Sequence, residues 1–446
     1  MVDNICAPAT PYGTSAIAII RCSGPEAIQN VNTIFKGCDL TAVKSHTIHY
    51  GHLIDGEKIV DEVVCNVFIA PRSFDGENMV EINCHGGILV TNTILQLLLK
   101  NGFRLAEPGE FSKRAFLNKK LDLTQAEAIM DIIHAENTTA LKSAQNSLRQ
   151  STTRLIQSFR ERLLDLLAKI EVNIDYPEYE DSIDVTRDYL IPLLESMIKD
   201  MKEILFNSKI SRLAIHGIKT AIVGKPNVGK SSLLNMLLEE EKAIVTDIPG
   251  TTRDLVEGSL TIDNVTLHLI DTAGIRKSND VVEQIGIKRS SAVIEQADLI
   301  LVVLDSSKPL EEEDQQLLEL TKNKTRILIG NKADQPQSFS LENMVKLSAK
   351  NKTGMSVLVK EILKTTNIDQ INIDEGKFLA NQRQLHLMNR AYEALHQAYD
   401  ACFKGVDIDL IEIDIKGAFD DLGAITGQST PDELITALFT KFCLGK

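Results

Sequence analysis

Residues 224–231 read Gly-Lys-Pro-Asn-Val-Gly-Lys-Ser and follow the apolar run Thr220–Val223. Two glycines spaced in this way before Lys230 and Ser231 indicate a phosphate-binding loop. Glycines let backbone N–H groups wrap the phosphates, and the helix that follows directs its positive end at them. We therefore expect Lys230 to reach the β- and γ-phosphates and Ser231 to bind Mg²⁺. The predicted contacts are Asn227, Val228, Gly229, Lys230, Ser231 and Ser232.

Short motifs later in the chain indicate that the nucleotide carries guanine. Asp-Thr-Ala-Gly at 271–274 follows an apolar run and suits the magnesium shell and the γ-phosphate. Asn-Lys-Ala-Asp at 331–334 follows another, and its carboxylate would accept both N–H donors on the guanine edge. Ser-Ala-Lys at 348–350 would support the base. Each motif is weak alone, but their order and their positions after strands favour a GTP site. The predicted contacts are Asp271, Thr272, Ala273, Gly274, Asn331, Lys332, Asp334, Ser348, Ala349 and Lys350.

A polar segment at 246–254 has the composition of a switch loop that senses the γ-phosphate, with one threonine binding Mg²⁺. Its predicted nucleotide contacts are Thr246, Asp247, Ile248, Pro249, Gly250, Thr251 and Thr252. The group that orients the attacking water is less obvious, because Ile275 occupies the place near which Ras-like enzymes carry a glutamine. The residues alone leave open a carboxylate, an arginine or a cation held beside the phosphates. The candidate side chains are Asp280, Glu283, Arg253 and Arg276.

The elements that must position these motifs differ along the chain. Before about residue 118, β-rich runs at 16–21, 64–70 and 79–84 and a helical pattern at 89–100 indicate an α+β module. Between 216 and 371, short apolar strands alternate with helices, which predicts a doubly wound, mostly parallel sheet. The strand candidates there lie at 220–223, 266–270, 299–304 and 326–329.

Helical patterns flank this α/β segment on both sides. Apolar residues recur at helical spacing from Leu155 to Ile170, from Leu190 to Leu205 and from Leu385 to Leu395. A last helix is predicted to start at Thr430 as N-cap, with Glu433 closing a capping box. Because each helical stretch has an apolar face that needs a partner, we expect one helical domain interrupted by the α/β segment.

The composition limits the classes of protein that fit. A chain of 446 residues predicts several domains, and its net charge of −14 argues against a protein that grips nucleic acid mainly through phosphates. No pair of the seven cysteines shows the C-x-x-C spacing of a zinc or redox site, and such an odd, dispersed set is typical of a reducing compartment. The N-terminus has no signal-peptide pattern, and no apolar run approaches the roughly 20 residues that span a bilayer. These features predict a cytoplasmic protein.

Several segments together resemble one family, the tRNA uridine 5-carboxymethylaminomethyl modification GTPases, MnmE, also called TrmE. The similarity extends over the full length. Its most specific marks are Pro108-Gly-Glu-Phe-Ser-Lys-Arg-Ala-Phe-Leu-Asn118, Lys120-Leu-Asp-Leu-Thr-Gln-Ala-Glu-Ala128, His85-Gly-Gly87, the 246–254 loop and Phe442-Cys-Leu-Gly-Lys446. The family's fold implies a folate-binding and dimerising α+β domain at 1–118, a discontinuous all-α domain at 119–215 and 372–446, and an inserted Ras-like G domain at 216–371.

The resemblance also implies how the nucleotide site works. In the family a potassium ion sits beside the phosphates and brings two G domains together, and the positions that match its ligands are Asn227, Thr246, Ile248 and Thr251. Ser231 and Thr252 match the magnesium ligands. The family's catalytic glutamate falls on Glu283, twelve residues after Asp271. The potassium ion would offset developing negative charge, so an arginine finger becomes unnecessary.

The family further implies a folate one-carbon donor of the 5-formyltetrahydrofolate type, with matching positions Arg21, Glu81, Lys120 and Lys446. Cys443 resembles a C-terminal cysteine that is assigned to the modification chemistry. The expected function is GTP hydrolysis coupled to installing a carboxymethylaminomethyl group at carbon 5 of a tRNA wobble uridine. A homodimer and the flavin-dependent protein MnmG are the expected partners.

A different class of function fits the G-domain motifs as well. An Era-like GTPase would use its nucleotide state only to regulate ribosome assembly, without modification chemistry. Such proteins usually carry a basic RNA-binding appendage with a G-x-x-G loop, and no basic appendage is visible in this sequence. The comparison favours the modification GTPase.

Overall fold

The computed structural model describes residues 3–175, 189–238, 256–262, 265–270, 293–370 and 377–445. The chain divides into two compact units. Unit 1 comprises Met1–Met130 and Gly423–Lys446, and unit 2 comprises Asp131–Leu422. The C-terminal segment therefore folds with the N-terminal part of the chain.

Unit 1 is built on a seven-stranded sheet with the strand order β3-β4-β5-β6-β2-β1-β7. Neighbouring strands are antiparallel except β1 and β7, which run parallel. The strands are β1 (Asn4–Pro8), β2 (Ile17–Ser23), β3 (Phe35–Lys36), β4 (Thr47–Asp55), β5 (Lys58–Phe68), β6 (Met79–His85) and β7 (Phe103–Leu105).

Helices of unit 1 bury alternating strand residues, because successive side chains of a strand point to opposite faces. One core joins α1 (Ala27–Ile34) and α2 (Ile88–Lys100) to residues such as Ile20 and Ile82. A second core packs Leu123 against Phe439 and Phe442. The other helices with residues in unit 1 are α3 (Glu110–Leu117), α4 (Leu123–Ile133) and, near the C-terminus, α13 (Asp432–Phe439).

Unit 2 contains a six-stranded sheet with the order β13-β12-β11-β8-β10-β9. Every neighbouring pair is parallel except β9 and β10. The strands are β8 (Ile218–Val223), β9 (Val256–Ile262), β10 (Val265–Ile270), β11 (Leu299–Asp305), β12 (Arg326–Asn331) and β13 (Val345–Lys346). The predicted doubly wound, mostly parallel sheet is confirmed. Its near-continuous apolar strands, such as β11, are buried along almost their whole length, as parallel strands covered on both faces must be.

The helical segments before and after this sheet come together in unit 2. α7 (Ile191–His216) packs along α11 (Gln382–Phe403), and the Ser208 hydroxyl accepts a hydrogen bond of 2.8 Å from the Leu379 N–H. The discontinuous helical domain is confirmed, whereas its exact limits stay predictions. The other helices are α5 (Thr138–Leu148), α6 (Ser151–Asp175), α8 (Lys230–Leu238), α9 (Glu312–Leu320), α10 (Met355–Thr365), α12 (Ile408–Thr426) and a 3₁₀ turn at Ile368–Gln370.

The predicted start of the last helix is wrong. Pro431 occupies the N-cap of α13 with extended backbone angles, and no side chain caps the helix. The Thr430 hydroxyl instead donates to the Ala424 carbonyl at 3.3 Å. The proposed capping box is absent because Thr430 lies one residue before the N-cap, and proline at the N-cap has no side-chain acceptor. Within the described ranges, no helix combines the length and apolar character that crossing a membrane requires.

Candidate functional site

The phosphate-binding loop connects β8 to α8, and its glycines are required by close contacts. A Cβ at Gly224 would lie 2.4 Å from the Val303 carbonyl oxygen, and one at Gly229 would lie 2.1 Å from the Asn331 side-chain nitrogen. Both glycines also have positive φ angles, +157° and +100°. The loop therefore approaches β11 and β12 at distances that no other residue type permits.

Asn227 lies in the same loop with φ +64° and is exposed. Asparagine is one of the few residues that adopt this left-handed conformation readily, because its short polar side chain hydrogen-bonds locally. Its position is therefore compatible with the predicted role as an oxygen ligand.

Lys230 begins α8, and its ammonium group folds back over the loop. The Nζ atom donates to the carbonyl oxygens of Gly224 and Lys225, each at 2.7 Å. Burial lowers the pKa of Lys230 below its usual value. A desolvated ammonium held by neutral carbonyls gains strongly from a phosphate, because the phosphate supplies the missing negative charge.

Asn331 connects the phosphate loop to the two loops that follow β12 and β13. The residue is 2% exposed, its Nδ2 donates to the Val228 carbonyl at 2.8 Å, and its Oδ1 accepts from the Ala349 N–H at 3.0 Å. One amide side chain thus holds together residues from three of the predicted motifs.

The carboxylate predicted to recognise guanine is held by the third of these loops. The Ser348 hydroxyl donates to Asp334 Oδ1 at 2.5 Å. This hydrogen bond is the main reason that the pKa of Asp334 lies below its usual value, and nearby Lys350 and Lys332 lower it further. Asp334 is exposed and remains ionised at neutral pH, as an acceptor for two N–H donors must be.

Four charged residues in or near the loop were missed by the sequence-based reasoning. Asp305 ends β11 and pairs with Lys332 at 2.6 Å. Lys225 pairs with Glu311 and Asp314 at the start of α9, each at 2.7 Å. The position of Asp305 at the carboxyl end of a parallel strand was a signal that could have found it.

Several predicted residues lie outside the described part of the chain. These are the switch residues Thr246, Asp247, Ile248, Pro249, Gly250, Thr251 and Thr252, the segment Asp271, Thr272, Ala273 and Gly274, and also Glu283 and Lys446. Their roles stay predictions.

Unit 1 brings two of the predicted folate residues together. Arg21 on β2 and Glu81 on β6 are directly opposite, and the Arg21 guanidinium donates to Glu81 Oε1 from Nη2 at 2.8 Å and from Nε at 3.1 Å. Its Nη1 donates to the Gly445 carbonyl at 3.1 Å, and its Cζ lies 5.0 Å from the centre of the Phe74 ring. The family resemblance implied that Arg21, Glu81 and the C-terminal Lys446 share a site, whereas the spacing of these residues in the sequence gives no sign of these contacts.

The other described residues of this group lie near the same segments. Lys120 Nζ donates to the Pro71 carbonyl at 3.0 Å, in the loop that also carries Phe74. Cys443 is exposed, and its carbonyl oxygen accepts from the Gly109 N–H at 3.4 Å. A Cβ at Gly445 would lie 2.2 Å from the Pro8 carbonyl oxygen, so the C-terminal segment is closely docked within unit 1.

The mostly parallel sheet, the glycine-dependent loop with Lys230, and the Asp334–Ser348 pair define a P-loop protein of the guanine-nucleotide-binding class. Comparison with known proteins is more specific. The family of the MnmE helical domain matches residues 123–443, and that of the GTP-binding protein TrmE N-terminus matches residues 4–120. The chain belongs to the MnmE family of tRNA modification GTPases.

Relatives match the chain along its whole length. The tRNA modification GTPase MnmE of Acholeplasma laidlawii (strain PG-8A) is 49% identical over 445 residues, covering 100% of this chain and 99% of the relative. The protein of the same name from Lacticaseibacillus paracasei is 47% identical over 455 residues, covering 100% and 98%. A solved structure of Aquifex aeolicus Era bound to GDP.AlF4- is 29% identical and covers 40% of this chain and 66% of its own. The TM-score between the two structures is 0.26.

Proposed function

We propose that this chain hydrolyses GTP in a reaction that depends on Mg²⁺ and K⁺, and that it acts in the modification of tRNA. Full-length relatives named tRNA modification GTPases support the activity and the substrate class. The observation that carries the proposal is the amide of Asn331, which joins Val228 of the phosphate loop to Ala349 beside the proposed guanine-recognition residues.

The proposed chemistry is mainly positioning and charge compensation. Backbone N–H groups of the loop would hold the phosphates, and the Lys230 ammonium would offset their charge. Ser231 and Thr252 are the proposed Mg²⁺ ligands, and the hydroxyl of Ser231 is a hard oxygen donor of the type that Mg²⁺ prefers. When bound, Mg²⁺ would neutralise part of the negative charge on the phosphate oxygens. Glu283 is the proposed residue that orients the attacking water.

The proposed K⁺ ligands are Asn227 of the phosphate loop and Thr246, Ile248 and Thr251 of the switch loop. Of these four residues, Asn227 is the one that the structure describes. Its amide oxygen is a hard donor, and the side chain is exposed on the phosphate loop. When bound, K⁺ supplies positive charge where the transition state develops negative charge. This role requires the side chain of Asn227. The backbone conformation does not require asparagine, because any residue that tolerates a φ of +64° can adopt it.

The test is GTP turnover by the full chain in K⁺ against Na⁺, for the wild type and for Asn227→Gly. Glycine adopts the left-handed conformation without strain, so this variant removes the ligand and keeps the loop. We expect K⁺ to raise turnover by about tenfold or more in the wild type and to have little effect in the variant. Asn343→Gly, at another left-handed asparagine, is the matched control. Equal rates in the two salts for the wild type would refute the assignment of Asn227.

We also propose that Arg21, Glu81, Lys120 and Lys446 bind a folate one-carbon donor of the 5-formyltetrahydrofolate type. The Arg21–Glu81 pair supports this, since a carboxylate suits the pterin and cationic groups suit the glutamate tail. Calorimetric titration of the full chain with 5-formyltetrahydrofolate should show binding that Arg21→Lys weakens and the exposed Arg149→Lys does not. Binding unaffected by Arg21→Lys would place the folate elsewhere.

The proposed product is a carboxymethylaminomethyl group at carbon 5 of the wobble uridine, made in the cytoplasm by a homodimer together with MnmG. Cys443 is the proposed thiol of the modification chemistry. In this proposal, deleting the gene removes the modified uridine from tRNA, and the intact gene restores it. Fully modified tRNA together with defective ribosomes in the deletion strain would favour the Era-like alternative.

A further inference from the structure

A chain of hydrogen bonds in unit 1 joins an exposed thiol to an imidazole, away from the sites described above. Cys38 follows β3, and its Sγ lies 3.2 Å from Nδ1 of His49. The other ring nitrogen of His49, Nε2, lies 2.7 Å from the hydroxyl oxygen of Thr47. Thr47 and His49 are two residues apart on β4, so both side chains point to the same face of the sheet.

These contacts determine which nitrogen of His49 carries the proton. The Thr47 hydroxyl has a single hydrogen, and it donates this hydrogen to the Lys44 carbonyl at 2.6 Å. Thr47 Oγ1 is therefore left as an acceptor for His49, so Nε2 of the neutral ring must be the protonated nitrogen. Nδ1 then has a free lone pair directed at Cys38, and only the thiol has a proton to donate to it. The arrangement is that of a thiol paired with an oriented base.

Cys65 shows why Cys38 differs from neighbouring cysteines. Cys65 lies directly opposite His49 across the β4–β5 pair, yet it is fully buried, and burial raises its pKa to about 12. Burial likewise raises the pKa of Cys6 to about 12 and that of Cys84 to about 11. These thiols stay protonated and inaccessible. Cys38 is exposed and has a base within hydrogen-bonding distance.

We propose that Cys38 is a reactive thiol that forms a mixed disulfide with low-molecular-weight disulfides, with His49 as its general base and Thr47 as the positioning residue. The Cys38 proton moves to His49 Nδ1, and the thiolate attacks one sulfur of the small disulfide. A new S–S bond forms to Cys38 as the old one breaks. The departing thiolate takes a proton from solvent or from His49. Thiol–disulfide exchange needs an accessible thiolate and no further catalytic group, so this geometry is sufficient for it.

The test exposes the full chain to oxidised glutathione at neutral pH, stops exchange with acid, and follows each cysteine by peptide mass spectrometry. Cys443, also exposed, is the internal reference. We expect Cys38 to react about tenfold faster in the wild type than in His49→Gln, since glutamine cannot take up a proton. His52→Gln, on the same strand, is the matched control and should leave the rate unchanged. Equal rates in the wild type and in His49→Gln would overturn the proposal.

Thr47 provides a second test that does not alter the base. Thr47→Val removes the acceptor that holds His49 and should slow the reaction of Cys38, whereas Thr47→Ser should restore the wild-type rate. A purely steric role would give the opposite order, because valine matches threonine in shape better than serine does. Cys65 reports on folding, since its modification would show that a variant had opened the core. If His49→Gln opens the core, the test rests on the rates of Cys38 modification in Thr47→Val and Thr47→Ser. Equal rates in these two variants would then refute the proposal.

Discussion

The candidate nucleotide site of unit 2 and the cluster of Arg21, Glu81 and Gly445 in unit 1, called the Arg21 site below, differ in which parts of the chain position their functional groups. In unit 2, short contiguous loops at strand ends present backbone groups and a few side chains, and Asn331 fastens those loops together. In unit 1, Arg21 meets Glu81 across two strands and reaches Gly445 at the other end of the chain. The first site depends on backbone shape, and the second depends on side chains from distant segments. Substitutions should therefore act differently in the two.

Asn331→Ala should have the largest effect, because it leaves the Val228 carbonyl and the Ala349 N–H buried without partners. We expect a loss of about 3 kcal/mol in the free energy of unfolding, measured by urea denaturation, and a loss of detectable GTP binding. Asn323→Ala removes an exposed asparagine and should change neither quantity. If Asn331→Ala kept normal affinity for GTP, the three loops would not need this link.

Asp334→Asn should lower the affinity for GTP by about 100-fold, since a charged acceptor of two hydrogen bonds is replaced by a group that also donates. The same change should raise the affinity for xanthosine nucleotides, whose base edge presents an acceptor in place of the guanine amino group. Competition binding with GTP and XTP measures both. An unchanged preference would mean that the base is bound elsewhere in the molecule.

Arg21→Lys should cost about 1–2 kcal/mol in the free energy of unfolding, because lysine cannot donate to Glu81 and Gly445 at once. Comparison with Glu81→Gln and the double variant gives the coupling between the two side chains. Additive effects would show that the pair does not cooperate. In that case the hydrogen bond from Arg21 to the Gly445 carbonyl would be the one long-range contact that distinguishes the Arg21 site from the nucleotide site.

Ser348→Ala should have the smallest effect, a rise in the pKa of Asp334 toward its ordinary value. The pKa of Asp334 is lowered in the folded protein, so its contribution to stability is present above the unfolded pKa and is lost as the pH falls through the folded pKa. With the hydroxyl removed, the folded pKa lies closer to the unfolded one, so the contribution should be smaller and its loss should be complete at a higher pH. Carboxyl titration by NMR measures the shift, and Ser338→Ala is the control at an exposed serine. A pKa of Asp334 that does not move would remove Ser348 as its cause.

The elements that sequence patterns predicted well are those whose pattern is local. The helix predicted at 89–100 is Ile88–Lys100, and the strand at 299–304 is Leu299–Asp305. Only part of β5, and none of β4, was predicted from the sequence. Ile48 and Tyr50 of β4 are exposed apolar residues, and they obscure the alternation of polar and apolar residues that indicates a strand. β9 was missed because Gly258 and Ser259 interrupt its strand pattern. This strand is stabilised by its pairing with β10.

By itself, the sequence determined the phosphate loop, because its shape resides in backbone conformations that contiguous glycine and asparagine residues specify. It also predicted, from residue types, that the loops at 331–334 and 348–350 recognise guanine. Only the tertiary structure decided that Asn331 fastens those loops, that Arg21 meets Glu81 and Gly445, and that His49 lies beside Cys38. These contacts join residues that are far apart in the chain or on different elements, and sheet register and packing, not residue type, set the distances between them.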